Sequence, residues 1–128
     1  MYIRKSQNIK YKTNILVAVV YINLYFNNTL ITITNIQGKT ISFGAGGFLG
    51  LKGAKRSTSY AGQTIATLLG KKIFALGFRY ILLNLNGFGS ARKTVLKGFL
   101  STKLKILRIR DKTSIAHNGC KSKKKRRI

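Results

Sequence analysis

A chain of 128 residues with 25 lysines and arginines, a single acid, Asp111, and a formal charge of +24 has room for one domain with a modest core and needs a polyanion to neutralise it. One carboxylate can neither run paired-carboxylate hydrolysis nor hold two metal ions. One cysteine, Cys120, and one histidine, His117, cannot close a four-ligand zinc site within the chain, and a lone cysteine forms no internal disulfide.

The start, MYIRKSQNIKYK, is basic and lacks the apolar core of a secretory signal. It reads as a solvated or RNA-bound arm over residues 1–14, with a matrix-targeting presequence as the other reading. ILVAVVYINLYF, Ile15 to Phe26, has the β-branched and aromatic content of a strand. It is apolar enough for burial on both faces over part of its length. Its twelve residues fall short of the roughly 20 that a membrane-crossing helix needs. Asn27-Asn28 suits a tight turn, because asparagine tolerates positive φ. Thr29 to Asn35 alternates as a returning strand, Gln37-Gly38 turns again, and Lys39 to Phe43 is a third strand. Together they make an antiparallel meander.

Gly44 to Thr58 holds five glycines, too many for the interior of an element, and reads as a loop. Ser57 or Thr58 caps a helix that runs to about Leu76 and stops at Gly77. Ile65, Leu68, Leu69, Ile73 and Leu76 recur at helical spacing as its buried face, with Lys71 and Lys72 in the last turns. Tyr80 to Leu85 is a strand and Asn86 to Ser90 a second glycine loop. Ser90 caps a helix over Ala91 to Leu100 with the stripe Val95, Leu96, Phe99 and Leu100. Leu104 to Ile109 is the last strand, and no element is expected from Arg110 on. The fold class expected is α/β: a five-stranded mixed sheet, antiparallel meander then right-handed βαβ unit, with two helices. The domain spans 15–110 and a basic tail 111–128.

Glycines that end at a helix N-terminus present backbone N–H groups to an anion. GFLGLKGAKRST does so with Lys52, Lys55 and Arg56 beside it, and its spacing is not that of a nucleotide P-loop. NGFGSARK repeats the idea with Gly87 and Gly89, then Arg92 and Lys93. Both loops leave the C-terminal ends of strands, so one edge of the domain could grip neighbouring phosphates. The KSKKKRR tail has nothing apolar to bury and suits polyanion contact. Because the cations concentrate in loops and tail, and not along one face of an amphipathic helix, nucleic acid is favoured over a membrane. Catalytic Cys and His usually come from separate parts of a fold, whereas His117 and Cys120 share the tail. His117 can stack or donate a hydrogen bond, Gly119 permits a bend, and Cys120 reads as a small packed residue. Asn118-Gly119 is open to succinimide chemistry, with partial isoaspartate at Asn118 expected.

FNNTLITITNIQGKTISF, GLKGAKRSTSYAGQ and HNGCKSKKKRR, in this order, resemble the universal small-subunit ribosomal protein eleven family, from about Ile15 to the C-terminus. The resemblance implies an α/β fold with a five-stranded mixed sheet. It implies a structural rRNA-binding protein of the small-subunit platform near the mRNA exit, with no cofactor, small-molecule substrate or membrane. Protein seven of that subunit is the implied protein neighbour. Carried onto this chain, the rRNA contacts would be Asn27 and Asn28, then Lys52, Lys55, Arg56, Ser57 and Thr58. Gly87, Gly89 and Arg92 follow, with Lys93 beside them. The tail contributes His117, Asn118, Gly119, Lys121, Lys123, Lys124, Lys125, Arg126 and Arg127.

The family's prolines are missing: Gly87-Phe88-Gly89-Ser90-Ala91-Arg92 stands where it has a glycine-proline repeat, and the tail lacks prolines around the His and the Cys. Without that stiffening these segments are expected to order on RNA. Abundant Ile, Lys, Asn, Phe and Tyr with no proline is the signature of AT-rich codons, hence an organelle gene: a mitochondrial ribosome first, a plastid ribosome as the alternative. The other functional reading is an RNA-binding or RNA-chaperone protein outside the ribosome.

Overall fold

The computed structural model describes residues 16–128; the basic arm expected over residues 1–14, and Ile15, lie outside them. Five strands, β1 (Leu16–Leu24), β2 (Thr29–Thr34), β3 (Thr40–Ala45), β4 (Phe78–Gly87) and β5 (Lys105–Asp111), form one sheet in the order β3-β2-β1-β4-β5. The pairs β1–β2 and β2–β3 are antiparallel, while β1–β4 and β4–β5 are parallel. This is the mixed sheet expected from the sequence, meander first and βαβ after. Its two helices are α1 (Ser59–Ala75) and α2 (Arg92–Leu100).

Side chains alternate across a strand, so one face of the sheet can be sealed and the other left open. Ala18, Val20, Ile22 and Leu24 of β1, Ile31 and Ile33 of β2, and Ile81, Leu83 and Leu85 of β4 lie in register on one buried face. Ile65, Leu69 and Ile73 of α1, with Val95 and Phe99 of α2, join them in a single core. On the far face of β1, Val17 is buried but Tyr21 is exposed, so burial on both faces holds only at the start of that strand.

Two leucines expected in the stripe of α1, Leu68 and Leu76, are exposed, as is Leu100 of α2. The buried stripe is made of small residues instead: Ala61, Gly62, Ala66 and Gly70 alternate with Ile65, Leu69 and Ile73. The helices cross almost backbone to backbone. A Cβ on Gly98 would stand 2.7 Å from both the Ala66 methyl and the Gln63 carbonyl oxygen, and one on Gly62 would stand 2.7 Å from the Ala91 methyl. Glycines are read by default as helix breakers, but here they set how closely two helices approach.

Gly44 and Ala45, expected in the loop, extend β3 by pairing with Ile31 and Leu30, and the remaining loop contains two short 3-10 helices, Gly46–Leu49 and Gly53–Ser57. Thr58 caps α1 as expected, its Oγ1 accepting the Ala61 N–H at 3.3 Å. Ser90 does not cap α2: Ala91 occupies that position and no side chain caps the helix. The last strand runs to Asp111, beyond the expected end at Ile109, because the Lys112 N–H still donates to the Leu85 carbonyl at 2.7 Å.

Candidate nucleic-acid interface

Strands β1, β3, β4 and β5 all point the same way, so their C-terminal ends share one edge of the sheet. The β1–β2 turn, both glycine loops and the start of the tail therefore emerge together. Hydrogen bonds tie them into one surface. Asn28 Oδ1 accepts from the Thr29 N–H at 2.9 Å and from the Gly46 N–H at 3.3 Å, joining the turn to the first glycine loop. Ser59 Oγ donates to the Ser90 carbonyl at 3.1 Å, and Ser90 Oγ donates to the Ser57 carbonyl at 3.0 Å, joining the first loop to the second. A Cβ on Gly46 would sit 2.5 Å from the Arg56 carbonyl oxygen, so the first loop is folded tightly on itself.

These ties separate the expected contact residues into two groups. Lys52, Lys55, Lys93 and Asn27 are exposed on the edge and free to meet a ligand. Asn28, Ser57 and Thr58 spend their side chains locally: Ser57 Oγ donates to the Ala54 carbonyl at 3.1 Å and Thr58 Oγ1 to the Lys55 carbonyl at 2.8 Å. Arg56 is half-buried, with Nε donating to the Gly53 carbonyl at 3.4 Å. The positive φ anticipated at Asn27-Asn28 is absent; among the described residues other than glycine only Asn118 has it, at 71°. The turn closes instead through the Tyr25 N–H, which donates to the Asn28 carbonyl at 2.9 Å.

The N-termini of α1 and α2 meet at this edge, as the Ser59–Ser90 contact requires. Each carries the partial positive charge of a helix N-terminus. No side chain caps α2; the N–H of its first residue, Arg92, donates instead to the Gly89 carbonyl at 3.3 Å. Gly87, at φ 91°, and Gly89 bring this loop against β1: a Cβ on Gly89 would lie 3.6 Å from that of Leu24.

Arg92 is held inside the surface, and sequence reasoning missed its partner. Its Nη2 donates to Asp111 Oδ2 at 2.7 Å and its Nη1 to the Gly87 carbonyl at 2.9 Å. Asp111 Oδ1 accepts from the Thr113 hydroxyl at 2.6 Å and from the Thr113 N–H at 3.0 Å, and Thr113 Oγ1 in turn accepts the Gly87 N–H at 3.1 Å. The one acid of the chain thus clasps the root of the tail to the second glycine loop. The signal for it was an aspartate two residues before a threonine, the spacing of a local Asx-type turn.

The two Thr113 bonds, then Arg92, lower the Asp111 carboxyl from 3.8 to about 2. Because the folded value lies below the unfolded one, the clasp contributes fully above the ordinary carboxylate range and is lost as pH falls through about 2. The Thr113 amide resonance should therefore titrate with a midpoint near 2 in wild type and stay flat in Asp111→Asn. A wild-type midpoint at 3.8 would mean that the clasp does not form.

Beyond Thr113 the chain has neither helix nor strand. His117, Asn118, Gly119, Lys121, Lys123, Lys124, Lys125, Arg126 and Arg127 are exposed. Bends at Asn118 and Cys120, with Gly119 at φ 31°, give the HNGC segment its turn. Cys120, expected to pack, is exposed and free, because the core ends before the tail begins.

Fold and edge together define a cationic α/β protein that collects glycine loops, helix N-termini and lysines on one side, although the loops' Gly46, Gly50 and Gly87 N–H groups, expected to face an anion, are spent within the chain. The family model described as Ribosomal protein S11 matches residues 18–127. The chain is 42% identical over 117 residues to the small ribosomal subunit protein uS11 of Methylobacterium radiotolerans, covering 91% of each chain, and equally similar to that of Methylorubrum populi. It is 39% identical over 126 residues to the small ribosomal subunit protein uS11c of Tupiella akineta, covering 98% of this chain and 97% of the relative. The chain belongs to the ribosomal protein S11 family, and its role is structural, not enzymatic.

Proposed function

We propose that this protein is a constituent of the small ribosomal subunit that binds small-subunit rRNA through the edge formed by the strand C-termini, with the tail as a second, extended contact. The observation that carries this reading is the convergence of two glycine loops, two helix N-termini and exposed lysines on one edge of a chain with 25 cations and one acid. The names of the relatives support it. Lys52, Lys55, Lys93 and Asn27 face the RNA; Asn28, Ser57, Thr58, Gly87, Gly89 and Arg92 shape the surface that presents them. In this reading the protein sits on the platform near the mRNA exit, beside protein seven. Its ribosome is an organelle's, mitochondrial first; the near full-length match to uS11c of Tupiella akineta fits the plastid alternative.

Sedimentation tests the reading. A tagged copy expressed in its native compartment should travel with the small subunit through high-magnesium gradients and remain there after a moderate salt wash. Recovery in light fractions, bound to assorted RNAs, would instead indicate a chaperone or other RNA-binding protein outside the ribosome.

A further inference from the structure

Exposed aromatic rings gather at this same edge. Tyr25 and Phe26 lie in the β1–β2 turn, Phe48 in the first glycine loop, Tyr60 in the first turn of α1 and Phe88 in the second glycine loop. Phe26 is 88% exposed, Tyr60 70% and Phe88 67%. Phe43, near the end of β3, meets Phe48 edge to face with ring centroids 5.4 Å apart. The Arg92 guanidinium lies 5.8 Å from the centroid of Phe88, so the clasp also steadies that ring.

Single exposed apolar residues are ordinary, but six exposed rings on segments that end at one edge of the sheet are more than scatter. The exposed apolar residues also segregate by chemistry. Leu76 at the end of α1, Leu100 of α2, and Leu107 and Ile109 of β5 are exposed aliphatics elsewhere on the domain, while Leu68 borders Phe43 and Phe48 and Tyr21 is a lone exposed ring within β1. At the opposite edge the Phe74 ring is covered by the Arg79 guanidinium at 4.0 Å. A protein partner would be served by either kind of apolar side chain. At this edge rings outnumber exposed aliphatic side chains, and rings set among Lys52, Lys55 and Lys93 fit a ligand that is anionic and flat. Paired A-form RNA hides its base faces inside the helix, whereas unpaired nucleotides can stack on aromatic side chains.

We propose that Tyr25, Phe26, Phe48, Tyr60 and Phe88, with Phe43 behind Phe48, form a stacking platform for unpaired bases of the bound RNA. The lysines hold the phosphates of the same nucleotides. This rests on the RNA-binding reading above and adds to it the class of RNA that is recognised: looped or splayed, not duplex.

The test uses the full chain in wild-type form and as Phe26→Leu, Phe88→Leu, Phe26→Trp and Phe88→Trp. Leucine keeps an apolar side chain and removes the ring, and both positions are exposed, so the variants should fold. Affinity is measured for three probes: polyuridylate, a fully paired RNA duplex, and intact small-subunit rRNA. Each leucine variant should bind polyuridylate and rRNA about 10-fold more weakly with the salt slope unchanged, bind duplex as wild type does, and recover in the tryptophan form. Leucine variants that bind polyuridylate like wild type, or that lose duplex binding equally, would overturn the platform. So would variants that bind all three probes normally yet fail to enter the particle, which would mark the patch as a protein contact. A wild-type chain that prefers polyuridylate through its rings but does not prefer small-subunit rRNA would uphold stacking and remove the ribosomal reading instead.

Discussion

Gly87→Ala should lower the free energy of unfolding by about 2–4 kcal/mol, while Gly89→Ala, two residues away, should change it by less than about 0.5 kcal/mol. Gly87 has φ 91°, where a side chain is strained, and a Cβ there would fall on the carbonyl oxygen of Leu24. That carbonyl is backbone at the end of β1, paired with β4 in the middle of the sheet, and cannot swing aside as a side chain tip would. Gly89 has no such φ, and its Cβ would meet Leu24 Cβ at an ordinary 3.6 Å. Urea melts of the two variants check the contrast. Because Gly87 also donates its N–H to Thr113 and accepts from Arg92, the alanine variant should lose the Asp111 clasp as well. Equal melts for the two variants would show that β1 and β4 are not in contact at this end.

The meander and the βαβ unit were legible because strand alternation and helical spacing are local signals. Ile31 and Ile33, or Val95 and Phe99, declare their faces within a few residues. The course of α1 was half legible: helical spacing marks Ile65, Leu69 and Ile73 as buried, but it marks Leu68 and Leu76 as well, because spacing weighs large apolar residues and gives glycines no weight. Gly62, Gly70 and Gly98 become core residues only when a second helix lies against them, which no window on one helix reveals. The shared edge of the glycine loops was predictable from strand direction alone. What the side chains do on that edge was not. Ser90 resembled a helix cap and became a tie to Ser57; Asn28 resembled a ligand contact and became a brace for Gly46. Arg92 resembled a free cation and is held by the only acid of the chain. Each depends on a partner between 18 and 33 residues away, a range over which sequence pattern is silent. The exposed rings were illegible for the opposite reason: aromatic side chains usually pack in a core, and only the exposure of Phe26 and Phe88 in the fold sets them apart.

The tail carries the largest expected effect on binding. Replacing Lys121, Lys123, Lys124, Lys125, Arg126 and Arg127 with glutamine removes six positive charges without touching the folded domain, since these residues are exposed and lie beyond every helix and strand. If each neutralises one phosphate of single-stranded-like RNA, the slope of log K against log salt should become shallower by roughly 4. Between low and physiological salt that difference amounts to about two orders of magnitude in affinity, more than any single loop lysine can supply. The thermal midpoint should not move. The loops and the tail also predict different signatures: Lys55→Gln should shift the slope by about 0.7 and nothing else, whereas a ring variant should shift affinity without the slope. Titrations of small-subunit rRNA at several salt concentrations read all three together. A glutamine tail that leaves the slope unchanged would mean the run stays solvated when RNA is bound, and the folded edge would then have to account for the whole of binding.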